Sequence, residues 1–514
     1  MGAGYLTDVE YTGDFHDHLA PAWLAYIAAI NGYSTPPLNS RFTWCELGCG
    51  KGVTSLLLAA VYPQGEFHAC DFNPAHIDYA ERLRSAGGIG NVTFHAKNFR
   101  EMLDAVLPAF DFIAIHGVYS WVPDEVRGEI REFIRRRIKP GGLVSVSYNA
   151  MPGWAHLQPI RHMMNAYASS LQTGDSLERA RQAYAYVDFL ARSGAGYFAA
   201  LPAAAQHLKE IATQDIRYVA HEYLTPYGDP FYFSEVNAQL QPLGLSFAGS
   251  MTPEDNYIPL SVPVQFQKLL AEAPSREMAE THRDYIVNRR FRRDLYAAQP
   301  PALQPHHLSL DRFDALAFCL TNLPERLALK NVEGRVRFDL ESQADAVRAV
   351  HRLLEAGPAD AQAIHRADGL NSTAQTAFLI QQLVIARHIA PCPPSRATAG
   401  WTRLNSALVD SGINEKLSRI PLACPHTGSA SYTDVVNAAT IEAAARFEDA
   451  QSGARNVLER LRRGDHPLDR HESSGEKRQA TDAEVLEYVG ITWRALNNDK
   501  DPNARLLRLL GVLV

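Results

Sequence analysis

Glu46, Gly48, Gly50, Gly52 and Asp71 are the residues whose types and spacing can do chemistry. Trp44-Cys45-Glu46-Leu47 reads as a buried strand closing on an acid, and Gly48-Cys49-Gly50-Lys51-Gly52 then breaks it. Glycines at alternate positions let the backbone turn sharply and approach a bound ligand without Cβ clashes. Asp71, at the end of the next strand-like run Gly65–Cys70, can accept both hydroxyls of a ribose. The loop runs into the apolar helical stretch Val53–Ala60, and strand, glycine loop, helix is the first unit of a nucleotide-binding α/β fold.

The spacing narrows the nucleotide. A dinucleotide site wants G-x-G-x-x-G, with its third small residue at position 53, where this chain has Val53. The pattern G-x-G-x-G, preceded by Glu46, is the form seen in enzymes that bind S-adenosylmethionine (SAM). Taken singly, Glu46 reads as an ordinary strand-end acid and Asp71 as a turn residue before Asn73-Pro74. The elements that must position them decide otherwise. Asn91–Ala96 reads as strand three, Phe110–Ile115 as strand four, and Leu143–Tyr148 as strand five after the turn Lys139–Gly142. Ligands of such sheets bind at the carboxyl ends of the strands, where all these residues fall. Glu46 is expected to hold the methionine end and Asp71 the ribose. Asn98 is placed against the adenine edge, with Phe72 and Phe99 flanking the ring. His116 and Gly117 stand where the methyl emerges, followed by Tyr119 and Trp121, which either line a channel or pack beneath it. Asp124 either accepts a proton or caps the helix after Pro123.

With 514 residues the chain has room for three or four domains, and 46% hydrophobic with 21% charged residues is a globular balance. The net charge of -7 argues against a non-specific nucleic-acid binder. The cluster Arg135-Arg136-Arg137 reads as the C-terminal end of a helix whose apolar stripe is Val126, Ile130, Phe133, Ile134 and Ile138. No apolar run is long enough for a transmembrane helix, and the N-terminus lacks the basic and apolar regions of a signal peptide. Six cysteines without a C-x-x-C pair suit a reduced, cytoplasmic protein. No metal site is expected: His16 and His18 flanking Asp17, and the pair His306-His307, lack zinc spacing and read as surface or hydrogen-bonding histidines.

Five segments follow from the pattern: a SAM-binding Rossmann-like core (1–150), a helical insertion acting as lid or dimer contact (151–214), the remaining strands of the core sheet (215–255), a middle winged-helix-like domain (256–390) and a mostly helical C-terminal domain (391–514). Within the first, Tyr11 to His16 can fold over the cofactor site. Ile216–Leu224 reads as strand six and Leu245–Ser250 as strand seven, in a mixed seven-stranded sheet whose last strand is antiparallel. Arg283–Leu295 reads as a charged helix, Val336–Leu340 as a strand, and His466–Ala480 as a loop.

The first 150 residues resemble a class I SAM-dependent methyltransferase. The wider pattern resembles the rickettsial-type lysine methyltransferases that modify outer-membrane proteins, in Glu46–Gly52, Asp71-Phe72-Asn73-Pro74, His116–Trp121, and a regulatory region over roughly Tyr218–Leu295. The resemblance thins after residue 300, although Leu422-Ala423-Cys424-Pro425 is family-like. It implies methyl transfer from SAM to protein lysine, leaving S-adenosylhomocysteine, with cofactor contacts at Glu46, Gly48, Gly50, Gly52, Asp71, Phe72, Asn98, Phe99, Gly117 and Tyr11, and catalytic work at Tyr119, Trp121 and His116. It also implies a protein substrate, no nucleic acid and no membrane insertion, with room for a homodimer. A small-molecule methyltransferase and a non-catalytic SAM-binding scaffold are the rival readings.

Overall fold

The computed structural model describes residues 13–302, 309–331, 338–394, 400–471 and 477–513. Five strands, β1 (Phe42–Leu47), β2 (Gly65–Asp71), β3 (Val92–Ala96), β4 (Phe110–Ile115) and β5 (Ile138–Asn149), run parallel. They alternate with helices: α1 (Pro21–Ile30) before β1, then α2 (Val53–Val61), α3 (Pro74–Gly87), α4 (Phe99–Leu103) and α5 (Asp124–Arg137). The pleat sends alternate side chains to opposite faces. Phe42 and Trp44 join the core under α1 and α2, while Cys45 and Leu47 join the core under α5. Glu46 sits opposite Ala69 and Ala114, so small neighbours flank it on both sides.

The chain then leaves the sheet. Helices α6 (Gln158–Ser170), α7 (Ser176–Arg192), α8 (Gly196–Ala200), α9 (Pro202–Ile211) and α10 (Ile216–Leu224) close around their own core, which includes Met164, Val187, Leu208 and Tyr223. Here the sequence reading needs correcting. Ile216–Leu224 is helix α10, not strand six: Val219, Ala220 and Tyr223 bury one helical face, and the Asp215 carboxylate accepts the Arg217 N–H at the helix start. The excursion therefore continues past residue 214, through α11 (Phe233–Leu240), to β6 (Ser246–Ser250).

A second correction concerns Arg283–Leu295. Only its first part is helical, as the end of α14 (Arg276–Val287), which follows the short helices α12 (Ile258–Ser261) and α13 (Val264–Ala271). Asn288 ends α14 in the left-handed region at φ 50°, and the chain turns into β7 (Phe291–Ala297). β7 inserts antiparallel between β5 and β6, giving the order β3-β2-β1-β4-β5-β7-β6. The sheet is thus seven-stranded and mixed, but its antiparallel member is the penultimate strand, not the edge strand. The core sheet also takes a strand from beyond the expected boundary at 255.

Further on, a three-stranded sheet (Ala317–Leu320, Ala359–Asp360, Ile389–Cys392) packs with the helices Ala344–Glu355, Ala361–Asp368 and Thr373–Ile385. Of the expected strand Val336–Leu340, Phe338–Asp339 pairs with Lys330–Asn331, and residues 336 and 337 lie outside the described residues, as do His306 and His307. The C-terminal region is mostly helical and includes the antiparallel pair Arg419–Cys424 with Ser429–Asp434. Within His466–Ala480, Asp469–His471 pairs with Lys477–Gln479, and the residues between them lie outside the described ones. Among the described residues no helix is long and apolar enough to cross a membrane.

Candidate active site

The glycine loop turns because its three glycines adopt positive φ: 78° at Gly48, 52° at Gly50 and 68° at Gly52. A Cβ on Gly48 would stand 2.4 Å from Val118 Cγ2, and one on Gly52 would stand 2.6 Å from the Phe94 ring. Gly50 is different: among the described residues nothing lies within 4 Å of its Cβ position, so its backbone is bare on that side. The Gly48 and Cys49 N–H groups donate to the Cys70 carbonyl, tying the loop to the end of β2.

Asp71 anchors the same loop. Its carboxylate accepts the Gly50 N–H at 3.0 Å and the Asn73 N–H at 2.9 Å, and His76 Nδ1 lies 3.3 Å away. A carboxylate offers about four lone-pair sites, so acceptor capacity remains for a hydroxyl. Glu46 is 4% exposed, and the Ser55 hydroxyl donates to it at 2.5 Å. Burial pushes its carboxyl up to about 8; the Ser55 bond opposes the shift and the Asp71 charge adds to it. Burial without a cation favours the neutral acid.

At the tip of β4, Gly117 has φ 66° with no described residue within 4 Å of its Cβ position, and its N–H donates to the Ser147 hydroxyl at 2.9 Å. His116 is joined there by two histidines from the segment before α1. His18 Nε2 and His116 Nδ1 share a hydrogen bond of 3.2 Å, and the His16 and His116 ring centres lie 4.0 Å apart. Arg293 of β7 reaches His18 Nδ1 at 3.3 Å. Burial first, then the charge of His18, lowers His16 to about 4. Burial likewise depresses His18 and His116, the latter well below the usual histidine range. The sequence placed His16 and His18 at the surface or in hydrogen bonds; the structure buries His18 and brings both rings to His116. Nothing in the H-D-H spacing announces this, because α1 and β7 create the contact.

The remaining residues divide. Phe72 and Phe99 are half-buried, and the Phe99 ring tip lies 3.9 Å from the Cβ position of Gly48. The Asn98 side chain caps α4 by accepting the Glu101 N–H, and the residue is exposed. Tyr119 is fully buried in the core under α5; its hydroxyl donates to Gln239 at 2.5 Å and lies 3.4 Å from Arg131. Trp121 is half-buried, with the Arg161 guanidinium 5.6 Å from its ring. Asp124 opens α5, is exposed, and lies 3.5 Å from Arg131. Tyr11 lies outside the described residues.

These features fit SAM. A buried carboxyl with no cationic partner among the described residues suits the ammonium of its methionine end, and the bare backbone at Gly50 and Gly117 leaves room for close approach. Asp71 at the tip of β2 keeps capacity for the ribose. Among the described residues no cluster of His, Cys, Asp and Glu can hold a metal ion.

Known proteins agree with this geometry. Residues 38–187 match the family described as a methyltransferase domain, and residues 215–298 match the one described as a "predicted methyltransferase regulatory domain". An uncharacterised protein of Synechocystis sp. is 35% identical over 358 residues, covering 69% of each chain. An uncharacterised protein of Rickettsia prowazekii is 33% identical over 242 residues, 46% of this chain and 95% of the relative. Among solved structures, PKMT2 from Rickettsia typhi in complex with AdoHcy matches with a TM-score of 0.71 at 21% identity, over 98% of this chain and 100% of that one. On the glycine loop, the two strand-end acids, the seven-stranded sheet and these matches, the chain belongs to the class I SAM-dependent methyltransferases that carry the methyltransferase regulatory domain.

Proposed function

We propose that this methyltransferase modifies lysine side chains of proteins. The observation that carries the reading is the set of three imidazoles packed together at the tip of β4, where burial disfavours their protonated forms, beside the Arg293 guanidinium. A lysine amine attacks only when neutral, and its free pKa is about 10.4. Burial and a nearby positive charge both favour the neutral amine. SAM supplies an activated methyl on a sulfonium, so the protein's task is placement and exclusion of water. Glu46 holds the cationic methionine end, Asp71 the ribose, and Phe72 and Phe99 the adenine faces. Trp121, half-buried and braced by Arg161, orients the incoming amine. Tyr119 supports the loop from below, since its hydroxyl is committed to Gln239. The name of the R. typhi relative and the chain beyond the sheet, which suits a large substrate, support the same reading. Six cysteines without a C-x-x-C pair suit a cytoplasmic setting.

The test is incubation with methyl-labelled SAM and a cell lysate, followed by separation of protein from small molecules. Acid-stable label on lysine is expected. Label confined to small molecules, or carboxyl label that base releases, overturns the lysine reading and leaves methyl transfer intact.

A further inference from the structure

The glycine loop and the histidine-bearing segment are both gripped by residues more than 350 positions downstream. The Lys51 side chain, 8% exposed, lies 3.1 Å from the Glu415 carboxylate and 4.6 Å over the Tyr79 ring. Glu415 accepts the Ser411 hydroxyl at 2.6 Å, and Ser411 meets the Tyr79 hydroxyl at 3.0 Å. Helix Trp401–Asn414, which carries Ser411, packs closely on α3: a Cβ on Gly87 would stand 3.1 Å from the Leu404 backbone. The Tyr432 hydroxyl accepts the Phe15 N–H at 2.7 Å and lies 3.3 Å from the Asp14 carboxylate. The segment is tied to α2 as well, since the His16 N–H donates to the Thr54 hydroxyl at 3.1 Å.

Lys51 sits between Gly50, whose backbone is bare, and Gly52, whose left-handed conformation starts α2. Asp14 and Phe15 lead directly into His16 and His18. The Lys51 ammonium is buried and Glu415 is one of the groups that hold it, which ties the loop to Glu415. The C-terminal region therefore contacts both the glycine loop and the segment that carries His16 and His18.

We propose that Glu415 and Tyr432 are positioning residues for methyl transfer: Glu415 sets the glycine loop through Lys51, and Tyr432 sets the segment that carries His16 and His18 to His116. The proposal gives the C-terminal region a role in the reaction itself, and it rests on the SAM site described above. Neither residue is part of the SAM site described above; Glu415 acts through Lys51 of the glycine loop and Tyr432 through the backbone of Phe15.

Titration of the full-length protein with AdoHcy tests this, alongside the melting temperature without ligand. Glu415→Gln keeps size and shape and removes the charge. Its AdoHcy dissociation constant should rise about fivefold or more, the lower end of ordinary coupling between sites. The charge swap Lys51→Glu with Glu415→Lys should bind AdoHcy more tightly than either single reversal, which a merely structural helix contact would not produce. Tyr432→Phe removes one hydroxyl, and AdoHcy binding should weaken with little change in melting temperature. AdoHcy affinities within twofold of the parent in both Glu415→Gln and Tyr432→Phe overturn the proposal. A swapped pair no tighter than the single reversals overturns the Glu415 part. Failure of the parent chain to bind AdoHcy would instead strike at the SAM site itself.

Discussion

One sheet carries two sets of buried acids with opposite surroundings. At the ends of β1 and β2, Glu46 and Asp71 are satisfied by a hydroxyl, backbone N–H groups and one histidine. Around β7, Glu280, Asp284 and Asp294 meet Arg292 at 2.8, 2.7 and 2.9 Å, with Arg283 on Glu280 and Arg289 near Asp284. The arginines hold Glu280 down to about 2 despite its burial, whereas burial takes Glu46 up to about 8. Asp284 is raised only to about 6, since Arg292 offsets much of the desolvation. Buried acids with built-in cations hold a fold together; Glu46, satisfied by a hydroxyl alone, and Asp71, by backbone N–H groups and a histidine, are the two that the proposed SAM site uses.

Removing the internal cation should have the largest effect. Arg292→Met leaves three buried carboxylates short of their partner and should cost about 3–5 kcal/mol of stability, read from denaturant unfolding. A loss below about 1 kcal/mol would erase the distinction between the two sets.

Glu46→Gln should do the reverse. Apo stability should hold or improve, while SAM affinity falls by about 1.5–3 kcal/mol, the worth of a hydrogen bond to a charged group. Calorimetry with SAM reads it directly, and unchanged affinity would remove Glu46 from the ligand.

The pH dependence sharpens the same point. The folded apo chain keeps a proton on Glu46 up to about 8, whereas the unfolded chain releases it above 4.5. The Glu46 contribution to apo stability is therefore full below pH 4.5 and is lost as pH rises towards 8. Melting curves of the parent and Glu46→Gln across that range should diverge with the parent falling faster, and parallel curves would place Glu46 at an ordinary pKa.

The smallest binding effect is expected at Trp121. Trp121→Ala should leave SAM affinity within about twofold while lowering turnover about tenfold or more, because it orients the nucleophile and not the cofactor. Equal losses in both would make the residue structural.

The same contrast explains what the sequence disclosed. β1 to β5 were legible because their buried faces are apolar and each ends in a turn or a polar residue. β7 was not, because Arg292 and Asp294 occupy buried positions and disguise the alternation as charge. Ile216–Leu224 misled in the other direction: its β-branched and aromatic residues imitate a strand, yet its buried side chains follow a helical face. The strand-end positions of Glu46 and Asp71 could be read from local spacing. The histidine cluster could not, because His18 and His116 are 98 residues apart and only the docking of the N-terminal segment against β4 and β7 joins them.

The late arrival of β7 has a consequence on the ribosome. It ends at Ala297, 148 residues after β5 ends at Asn149, yet it fills the slot beside β5. At about 5–20 residues per second, the nascent chain spends about 7–30 s with β5 as an open edge. An unpaired strand edge is a template for pairing with other chains. The parallel half can assemble early, but its exposed flank must be shielded until β7 emerges, which marks the interval from residue 150 to 297 as the window in which a chaperone, a slowed codon or a nascent neighbour decides the yield of folded enzyme.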